Sequence, residues 1–289
     1  MNKRHNDRPQ ARTLSRRPGI PSRLGFLLLK PLIPWMFRTR QKTMENNLDL
    51  VFGDFLPLSR RREIMLRSWE NLWRSIWEVL YFPWAKTACL ETMQPINFEA
   101  LDQSLSRGKG VVLAAVHTGN WFWGAACLAQ RYPVYVMIRP LSLRPGQAVL
   151  NRVFQRMGFH TISRVGGLYR AFQALRQNAI VIIALDQHAS NGVWIDFFGR
   201  PASTFTSPAA LALLRDCPVH LGFVNRQAGN RQEVRISDPF PLIQTGNRKQ
   251  DTIANTLLFS RAVEKIIQDY PDTWLWMHRR WKPACNSPV

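Results

Sequence analysis

Apolar residues in this chain form two kinds of pattern, and the two kinds alternate along its centre. Short, unbroken apolar runs are typical of strands that are buried on both faces of a parallel sheet. Such runs occupy residues 111–116, 134–138 and 179–185, and residues 219–225, after the last predicted helix, form a fourth predicted strand. We therefore predict four buried strands, with enough chain between successive strands for a helix.

The stretches beside these runs predict helices at residues 125–130, 147–157, 169–175 and 207–215. Ser207 is the predicted cap of the last helix, with Pro208 at its first helical position. Repeated strand–helix units predict an α/β fold, with a largely parallel or mixed sheet flanked by helices on both faces. We assign residues 43–289 to this single domain.

A longer amphipathic helix is predicted before the first strand. Its apolar residues recur at spacings of three and four, and they are Met65, Trp69, Leu72, Trp73, Ile76 and Leu80. Ser59 is the predicted cap and Pro83 the predicted end. Glu78 lies near the last turn, on or beside the apolar face. It is either a solvated helix charge or part of a site.

The first 42 residues differ in composition from the rest of the chain. Residues 1–23 are rich in Arg and Pro, which predicts a mobile basic tail. Residues 24–37 are apolar but are interrupted by one Lys and two Pro, and basic residues lie on both sides. We assign residues 24–42 to an in-plane or re-entrant membrane-associating helical segment. A signal peptide and a buried first helix of the domain are the alternatives.

Charge and aromatic content narrow the range of partners. Lys and Arg total 39 against 19 Asp and Glu, so the formal net charge is +20 and the pI is near 11.0. This charge favours nucleic acid, an anionic bilayer or an acidic carrier protein. The 11 Trp and 16 Phe residues favour a membrane interface. No zinc, helix-turn-helix or RNP-type motif accompanies the basic residues, so we predict no nucleic-acid partner.

Cysteine spacing and hydrolase motifs exclude several other classes. The four Cys residues are scattered with no CxxC pair, which argues against a zinc site or a disulfide framework; they are Cys89, Cys127, Cys217 and Cys285. No Gly-x-Ser-x-Gly pentapeptide of the α/β-hydrolase type occurs.

Polar residues follow two of the predicted strands directly, where ligands gather in open α/β sheets. His117 follows the run 111–116, and Asp186 and Gln187 follow the run 179–185. A His that leaves a buried strand into a Gly-Asn turn is well placed to act as a general base. The helix that begins near Trp121 offers free N–H groups to a developing oxyanion.

Five segments taken together resemble the lipid A biosynthesis acyltransferase family, a branch of the lysophospholipid acyltransferase superfamily. They occur in the family's order, and they are His117-Thr-Gly-Asn-Trp121, Ile138-Arg-Pro140, Asp186-Gln187, Phe197-Phe-Gly-Arg-Pro-Ala202 with Thr204, and Trp276-Met-His-Arg-Arg-Trp281. The resemblance extends from about residue 20 to residue 282, which is nearly the whole chain. Asn46-Asn-Leu48 and Glu78 also fit the family's N-terminal region.

This resemblance implies a glycerolipid acyltransferase-like fold and transfer of a fatty acyl group. The implied donor is an acyl carrier protein or coenzyme A thioester, and the implied acceptor is a hydroxyl or amine of a lipid or glycolipid such as a lipid A precursor. The anionic membrane surface is a further expected partner, and the expected location is the cytoplasmic face of the bacterial inner membrane. No cofactor or metal is implied.

The resemblance also implies roles for individual residues. His117 matches the family's catalytic base, with Asp186 as a second expected catalytic residue. Arg139 matches a basic residue near phosphate or carboxylate groups of the acceptor. The remaining expected substrate-binding residues are Asn120, Gln187, Phe198, Gly199, Thr204 and Arg279.

One position departs from the family pattern. The family has Asp or Glu at the fifth residue after the catalytic His, where it orients the imidazole, and this chain has Phe122. Three accounts are open. Another carboxylate reaches His117, with Asp186 the best candidate and Glu78 the next; or His117 acts alone; or the chain is a lipid-binding pseudoenzyme that kept the fold and lost the reaction.

Overall fold

The computed structural model describes residues 33–140, 144–227, 229 and 231–282. The predicted basic tail and residues 24–32 of the predicted membrane-associating segment lie outside this part of the chain. Among the helices within it, none has an apolar stretch that is long enough to cross a membrane.

A seven-stranded sheet forms the centre of the molecule, as the apolar runs predict. Five strands run parallel in the order β8-β2-β5-β3-β4; β9 pairs antiparallel with β8, and β1 pairs parallel with β9 at the edge. A separate antiparallel hairpin consists of β6 and β7. The strands are β1 Met93–Ile96, β2 Val111–Ala115, β3 Val134–Ile138, β4 His160–Ser163, β5 Ile180–Ala184, β6 Val193–Phe197, β7 Arg200–Thr204, β8 Val219–Arg226 and β9 Gln232–Ile236.

Helices cover both faces of this sheet. They are α1 Ile33–Phe52, α2 Leu58–Glu91, α3 Glu99–Leu105, α4 Trp121–Leu128, α5 Arg144–Met157, α6 Leu168–Arg176, α7 Ser207–Arg215 and α8 Arg248–Asp269. One core joins the sheet to α1, α6, α7, α8 and the first half of α2. The other joins it to α3, α4, α5 and the second half of α2. This architecture confirms the predicted α/β class.

Strand β2 shows why the central runs are unbroken. Val112 and Ala114 point into the first core, whereas Val111 and Leu113 point into the second. Because successive side chains in a strand alternate between faces, a strand with a core on each side needs an apolar residue at every position.

Helix α2 corrects the prediction of a helix between Ser59 and Pro83. The helix begins at Leu58, Pro57 precedes it, and Ser59 lies inside the first turn and does not cap it. The chain remains helical past Pro83 to Glu91, with a kink at Ala85 where φ is −134° and ψ is 31°. Proline removes a backbone donor and bends the helix. Packing of both sides of the kink against the second core keeps the two halves continuous.

The start of α7 also differs from the prediction. Thr206 is the residue before the helix, Ser207 is its first residue, and no side-chain hydrogen bond caps it. Pro208 therefore occupies the second helical position, where its missing N–H still costs nothing because the first-turn donors have no helical acceptor.

The two ends of the described chain pack together on the first core. Met44 and Leu48 of α1 are buried, although α1 crosses the boundary predicted at residues 42 and 43. Asn47 Nδ2 donates hydrogen bonds of 2.7 Å to the carbonyl oxygens of Trp276 and His278. These bonds fix the segment after α8 against the N-terminal helix.

Candidate active site

His117 and Asp186 meet at the carboxyl ends of neighbouring parallel strands. Ala115 of β2 is the register partner of Ala184 of β5, and each polar residue lies two positions beyond its alanine. His117 Nδ1 lies 2.7 Å from Asp186 Oδ1, and the His117 backbone N–H donates to Asp186 Oδ2 at 2.9 Å. Two bonds to one carboxylate fix both the ring and the backbone of His117.

Asp186 is held as a buried carboxylate. Its side chain is 1% exposed, and a third donor, Trp274 Nε1, binds Oδ2 at 2.8 Å. Burial by itself would raise the pKa of Asp186, but the charge and hydrogen bonds of His117 and the Trp274 bond outweigh it and lower the pKa to about 2. Asp186 is therefore ionised at neutral pH.

This pairing fixes the chemistry that His117 can perform. An ionised carboxylate at Nδ1 favours the tautomer with a proton on Nδ1, which leaves Nε2 as the basic nitrogen. The His117 side chain is 17% exposed, and Gln187 Nε2 lies 3.4 Å from His117 Nε2. The Trp121 ring packs edge-on against the imidazole at 4.9 Å. The arrangement suits a general base that takes a proton at Nε2.

An apolar cavity of about 290 Å³ opens beside His117. It lies between the sheet and α4, and both Ala115 and Ala184 line it directly below the histidine. Leu113, Ile182 and Leu128 line it further along the strands and helix. A strand rises about 3.3 Å per residue, so the cavity follows the sheet for roughly 13 Å from His117 to Leu113. Its shape and lining suit an extended hydrocarbon chain.

Phe122 belongs to the wall of this cavity. Its ring stacks on Phe154 of α5 with a centroid distance of 5.1 Å and contacts Trp121 at 5.6 Å. Asp186 bonds to His117 Nδ1, so the imidazole has a carboxylate partner although position 122 is aromatic. Of the three accounts above, this contact supports the first.

The turn between β2 and α4 brings backbone donors close to His117. Gly119 has φ of +55°, and a Cβ atom there would lie 2.6 Å from the Val224 carbonyl oxygen, so the turn needs glycine. The Asn120 side chain caps α4 by accepting from the Trp123 N–H at 3.1 Å. Within the described chain, the N–H groups of Trp121 and Phe122 have no hydrogen-bond acceptor.

The structure brings some of the expected substrate-binding residues to the cavity. Gln187 and Arg139 line it. Asn120 is fully buried in the turn beneath it, where it bonds to Glu78 and Gln232. Gln187 and Arg139 thus lie at the cavity with His117, whereas Asn120 does not line it and its role in substrate binding stays a prediction.

The other expected substrate-binding residues lie elsewhere. Phe198 and Gly199 form the turn between β6 and β7, Thr204 ends β7, and Arg279 is exposed after α8; none of the four lines the cavity. Arg280 links the segment after α8 to strand β7, because its buried guanidinium donates to the Ser203 carbonyl at 2.7 Å and to Thr204 Oγ1 at 2.6 Å. Their role in substrate binding stays a prediction.

Two residues of the site were absent from the sequence-based prediction. Trp274 orients Asp186, but it precedes the Trp276–Trp281 motif and no periodicity marks it. Arg164 lines the cavity mouth with its guanidinium 3.8 Å from the Phe205 ring centroid, and burial lowers its pKa, as does the charge of Arg139. Arg164 directly follows β4, a strand without an apolar run, so its place at a strand end gave no signal.

The described residues contain no group of three or more His, Cys, Asp or Glu side chains that could hold a metal ion.

Comparison with known proteins identifies the family of this chain. The family model described as bacterial lipid A biosynthesis acyltransferase matches residues 23–283. The chain belongs to this family. Its members transfer acyl groups, so the chain is an acyltransferase that acts on lipid or glycolipid acceptors. The family is membrane-associated.

Characterised relatives differ in the acceptor that their names give. The chain is 26% identical over 226 residues to a phosphatidylinositol mannoside acyltransferase of Mycolicibacterium smegmatis, covering 75% of this chain and 70% of the relative. It is 28% identical to the protein of that name from Mycobacterium tuberculosis, covering 75% and 68%. It is 22% identical over 276 residues to the lipid A biosynthesis lauroyltransferase of Escherichia coli, covering 90% and 84%.

Proposed function

We propose that this protein transfers a fatty acyl group from an acyl carrier protein or coenzyme A thioester to a hydroxyl of a membrane glycolipid. The observation that carries this proposal is the 2.7 Å contact between His117 Nδ1 and Asp186 Oδ1 at the mouth of an apolar cavity. The contact supplies an oriented base, and the cavity supplies room for the acyl chain.

The reaction follows from the geometry in two steps. His117 Nε2 takes the proton of the acceptor hydroxyl as its oxygen attacks the thioester carbonyl carbon. The tetrahedral intermediate then collapses, the carbon–sulfur bond breaks, and the imidazolium returns the proton to the departing sulfur. Asp186 remains ionised throughout and stabilises the imidazolium. The products are an ester of the acceptor and a free thiol.

Backbone donors of α4 are proposed to stabilise the oxyanion of that intermediate. The unpartnered N–H groups of Trp121 and Phe122 lie at the positive end of the helix dipole, and both residues line the cavity beside His117. Gln187 Nε2 is a further donor at this position.

Positive charge at the cavity mouth fits anionic substrates. Arg139 and Arg164 line the mouth, and the chain carries a formal charge of +20. Acyl carrier protein, coenzyme A and anionic lipid surfaces are all attracted by such a field. We place the reaction at the cytoplasmic face of the bacterial inner membrane, where these partners meet.

The acceptor is proposed as a glycolipid, without restriction to a lipid A precursor. The relatives' names specify a phosphatidylinositol mannoside in two cases and lipid A in the third. A sugar hydroxyl on a membrane lipid is the chemistry that these acceptors share.

Acyl transfer in detergent–lipid micelles tests this function. Labelled acyl carrier protein and acyl coenzyme A are offered with lipid A precursors, phosphatidylinositol mannosides and simple lysophospholipids. We expect transfer to at least one glycolipid, and loss of that transfer in His117→Ala. His160→Ala, which changes an exposed histidine, is the matched control and retains activity.

Equal background transfer by the wild type and His117→Ala, with every donor and acceptor, would contradict the proposal. That result would favour the lipid-binding pseudoenzyme.

A further inference from the structure

Glu78 is a buried carboxylate at the centre of a polar network behind the turn that carries His117. It is 6% exposed. Arg226 of β8 donates two hydrogen bonds to it, 2.8 Å to Oε1 and 2.9 Å to Oε2, and Arg74 donates a third at 3.1 Å. Burial by itself would raise the pKa of Glu78, but the charge and hydrogen bonds of Arg226, Asn120 and Arg74 lower it. Glu78 is therefore ionised at neutral pH.

This network reaches the turn through Asn120. Asn120 Nδ2 donates to Glu78 Oε2 at 2.8 Å, while Asn120 Oδ1 accepts from the Trp123 N–H. The cap of α4 is thus oriented by the carboxylate of α2. A change at Glu78 would alter the position of the first turn of α4, where the unpartnered N–H donors lie.

A second set of bonds holds the residue before the cap. The Gly119 carbonyl oxygen accepts from Asn71 Nδ2 at 3.2 Å and from Ser75 Oγ at 3.1 Å. Arg226 organises both donors, since its Nε binds Asn71 Oδ1 at 2.9 Å and its Nη2 contacts Ser75 Oγ at 3.3 Å. The Glu78–Arg226 pair therefore includes or contacts each α2 side chain that bonds to this turn.

We propose that Glu78, held by Arg226, is a positioning residue that fixes the Gly119–Asn120 turn and thereby aims the first N–H groups of α4 at the thioester oxyanion. The inference rests on the proposed acyl transfer. Glu78 does not act through the imidazole, because Asp186 occupies His117 Nδ1 and no contact joins Glu78 to His117 within the described chain.

A buried ion pair is weak evidence for stability, since apolar replacement of both partners is often neutral or stabilising. The Glu78–Arg226 pair is instead proposed to act by fixing the geometry of the turn. Misplacement of reacting groups by about 1 Å costs on the order of 10² in rate, and loss of one oxyanion donor costs about 10²–10³ in kcat.

Glu78→Gln in the full-length protein is the first test. We expect kcat to fall about 10²-fold, on the scale of those losses, with KM for the acyl donor nearly unchanged. Glu63→Gln is the matched control, because Glu63 lies on the same helix and pairs with Arg60 and Arg67 at the surface. We expect Glu63→Gln to keep the kcat of the wild type.

Asn120→Ser is the second test and covers the case in which Glu78→Gln does not fold. Serine retains a helix cap, but its hydroxyl ends one atom short of the asparagine Nδ2 and so is too far from Glu78 to replace the 2.8 Å bond. We expect a similar loss of kcat, and no further loss when Glu78→Gln is added, since the two changes break one connection. The pH profile of kcat/KM should keep its apparent pKa, because the His117–Asp186 pair is untouched.

Three results would overturn the inference. They are a folded Glu78→Gln with the kcat of the wild type, additive losses in the double variant, and losses that disappear when rates are normalised to the folded fraction. A wild type that transfers no acyl group would instead defeat the proposed function itself.

Discussion

Replacement of Asp186 by Asn removes the charge at the site and keeps the size of the side chain. The Asp186 carboxylate accepts three hydrogen bonds, two from His117 and one from Trp274. An amide has a single acceptor oxygen, so at least one buried donor loses its partner and the NH₂ group faces another donor. The imidazole then loses both its preferred tautomer and the counter-charge for its protonated form.

The expected loss of kcat is about 10⁴-fold, the size seen when the corresponding carboxylate of a serine-protease triad becomes an amide. This factor corresponds to about 5 kcal/mol of transition-state stabilisation. Stability also falls, because each buried donor left without a partner costs about 1–3 kcal/mol. In the wild type, folding lowers the pKa of Asp186 from an ordinary 3.8 to about 2. This shift contributes about 2 kcal/mol to the free energy of unfolding above pH 4, and the contribution is lost as the pH falls towards 2.

Initial rates of acyl transfer at saturating donor, measured across pH, check this expectation, with urea unfolding to confirm the fold. Asp196→Asn is the matched control, because Asp196 is a surface residue of β6 that pairs with Arg261. A kcat for Asp186→Asn within tenfold of the wild type would refute the role of Asp186. So would a gain of activity in Phe122→Glu, since a carboxylate at 122 should add only the cost of its burial against Phe154.

Three further changes test other parts of the structure. Gly119→Ala puts a methyl group at φ of +55° and 2.6 Å from the Val224 carbonyl oxygen, so urea unfolding should show a loss of about 1–3 kcal/mol. Ala184→Leu fills part of the cavity below His117. In a competition assay, kcat/KM for a long-chain donor should fall about tenfold relative to that for a short-chain donor. The reason is that two methylenes of the long chain are excluded, and burial of each contributes about 0.8 kcal/mol. Burial lowers the pKa of His278 from 6.5 to about 4. Between pH 6.5 and pH 4 the unfolded state therefore binds more protons than the folded state, so the free energy of unfolding falls by about 3 kcal/mol over this range. His278→Gln should flatten that profile in urea titrations. Wild-type stability, wild-type donor preference or an unchanged slope, respectively, would contradict these assignments.

The sequence predicts the centre of the sheet better than its edges. Strands β2 and β5 have a core on each face, so every position is apolar and the runs are visible. Strand β4 at one edge reads His-Thr-Ile-Ser. Strand β9, next to the edge strand β1, alternates Gln-Glu-Val-Arg-Ile, and its buried Gln232 accepts from the Asn120 N–H. Their pairing depends on neighbouring strands, and local composition does not encode it.

The same difference separates the predicted and unpredicted parts of the site. His117 and Asp186 each directly follow an apolar run, so the runs mark both as residues at strand ends, and the pairing of β2 with β5 in the structure brings them together. Trp274 reaches Asp186 across 88 positions, and no strand register links them. The partners of Glu78 were equally hidden, because its helix had to pack against β8 before Arg226 came within reach.

The contact between Trp274 and Asp186 sets the order in which the active site can be completed. Synthesis proceeds from the N-terminus, and both the sheet and the His117–Asp186 pair precede the segment that contributes Trp274. That segment is fixed by Asn47 of α1, across 229 positions. A nascent chain therefore lacks the full set of bonds to Asp186 until the segment that contains Trp274 has been synthesised and has docked. The full set of bonds at Asp186 therefore forms only when the segment after α8 packs against α1.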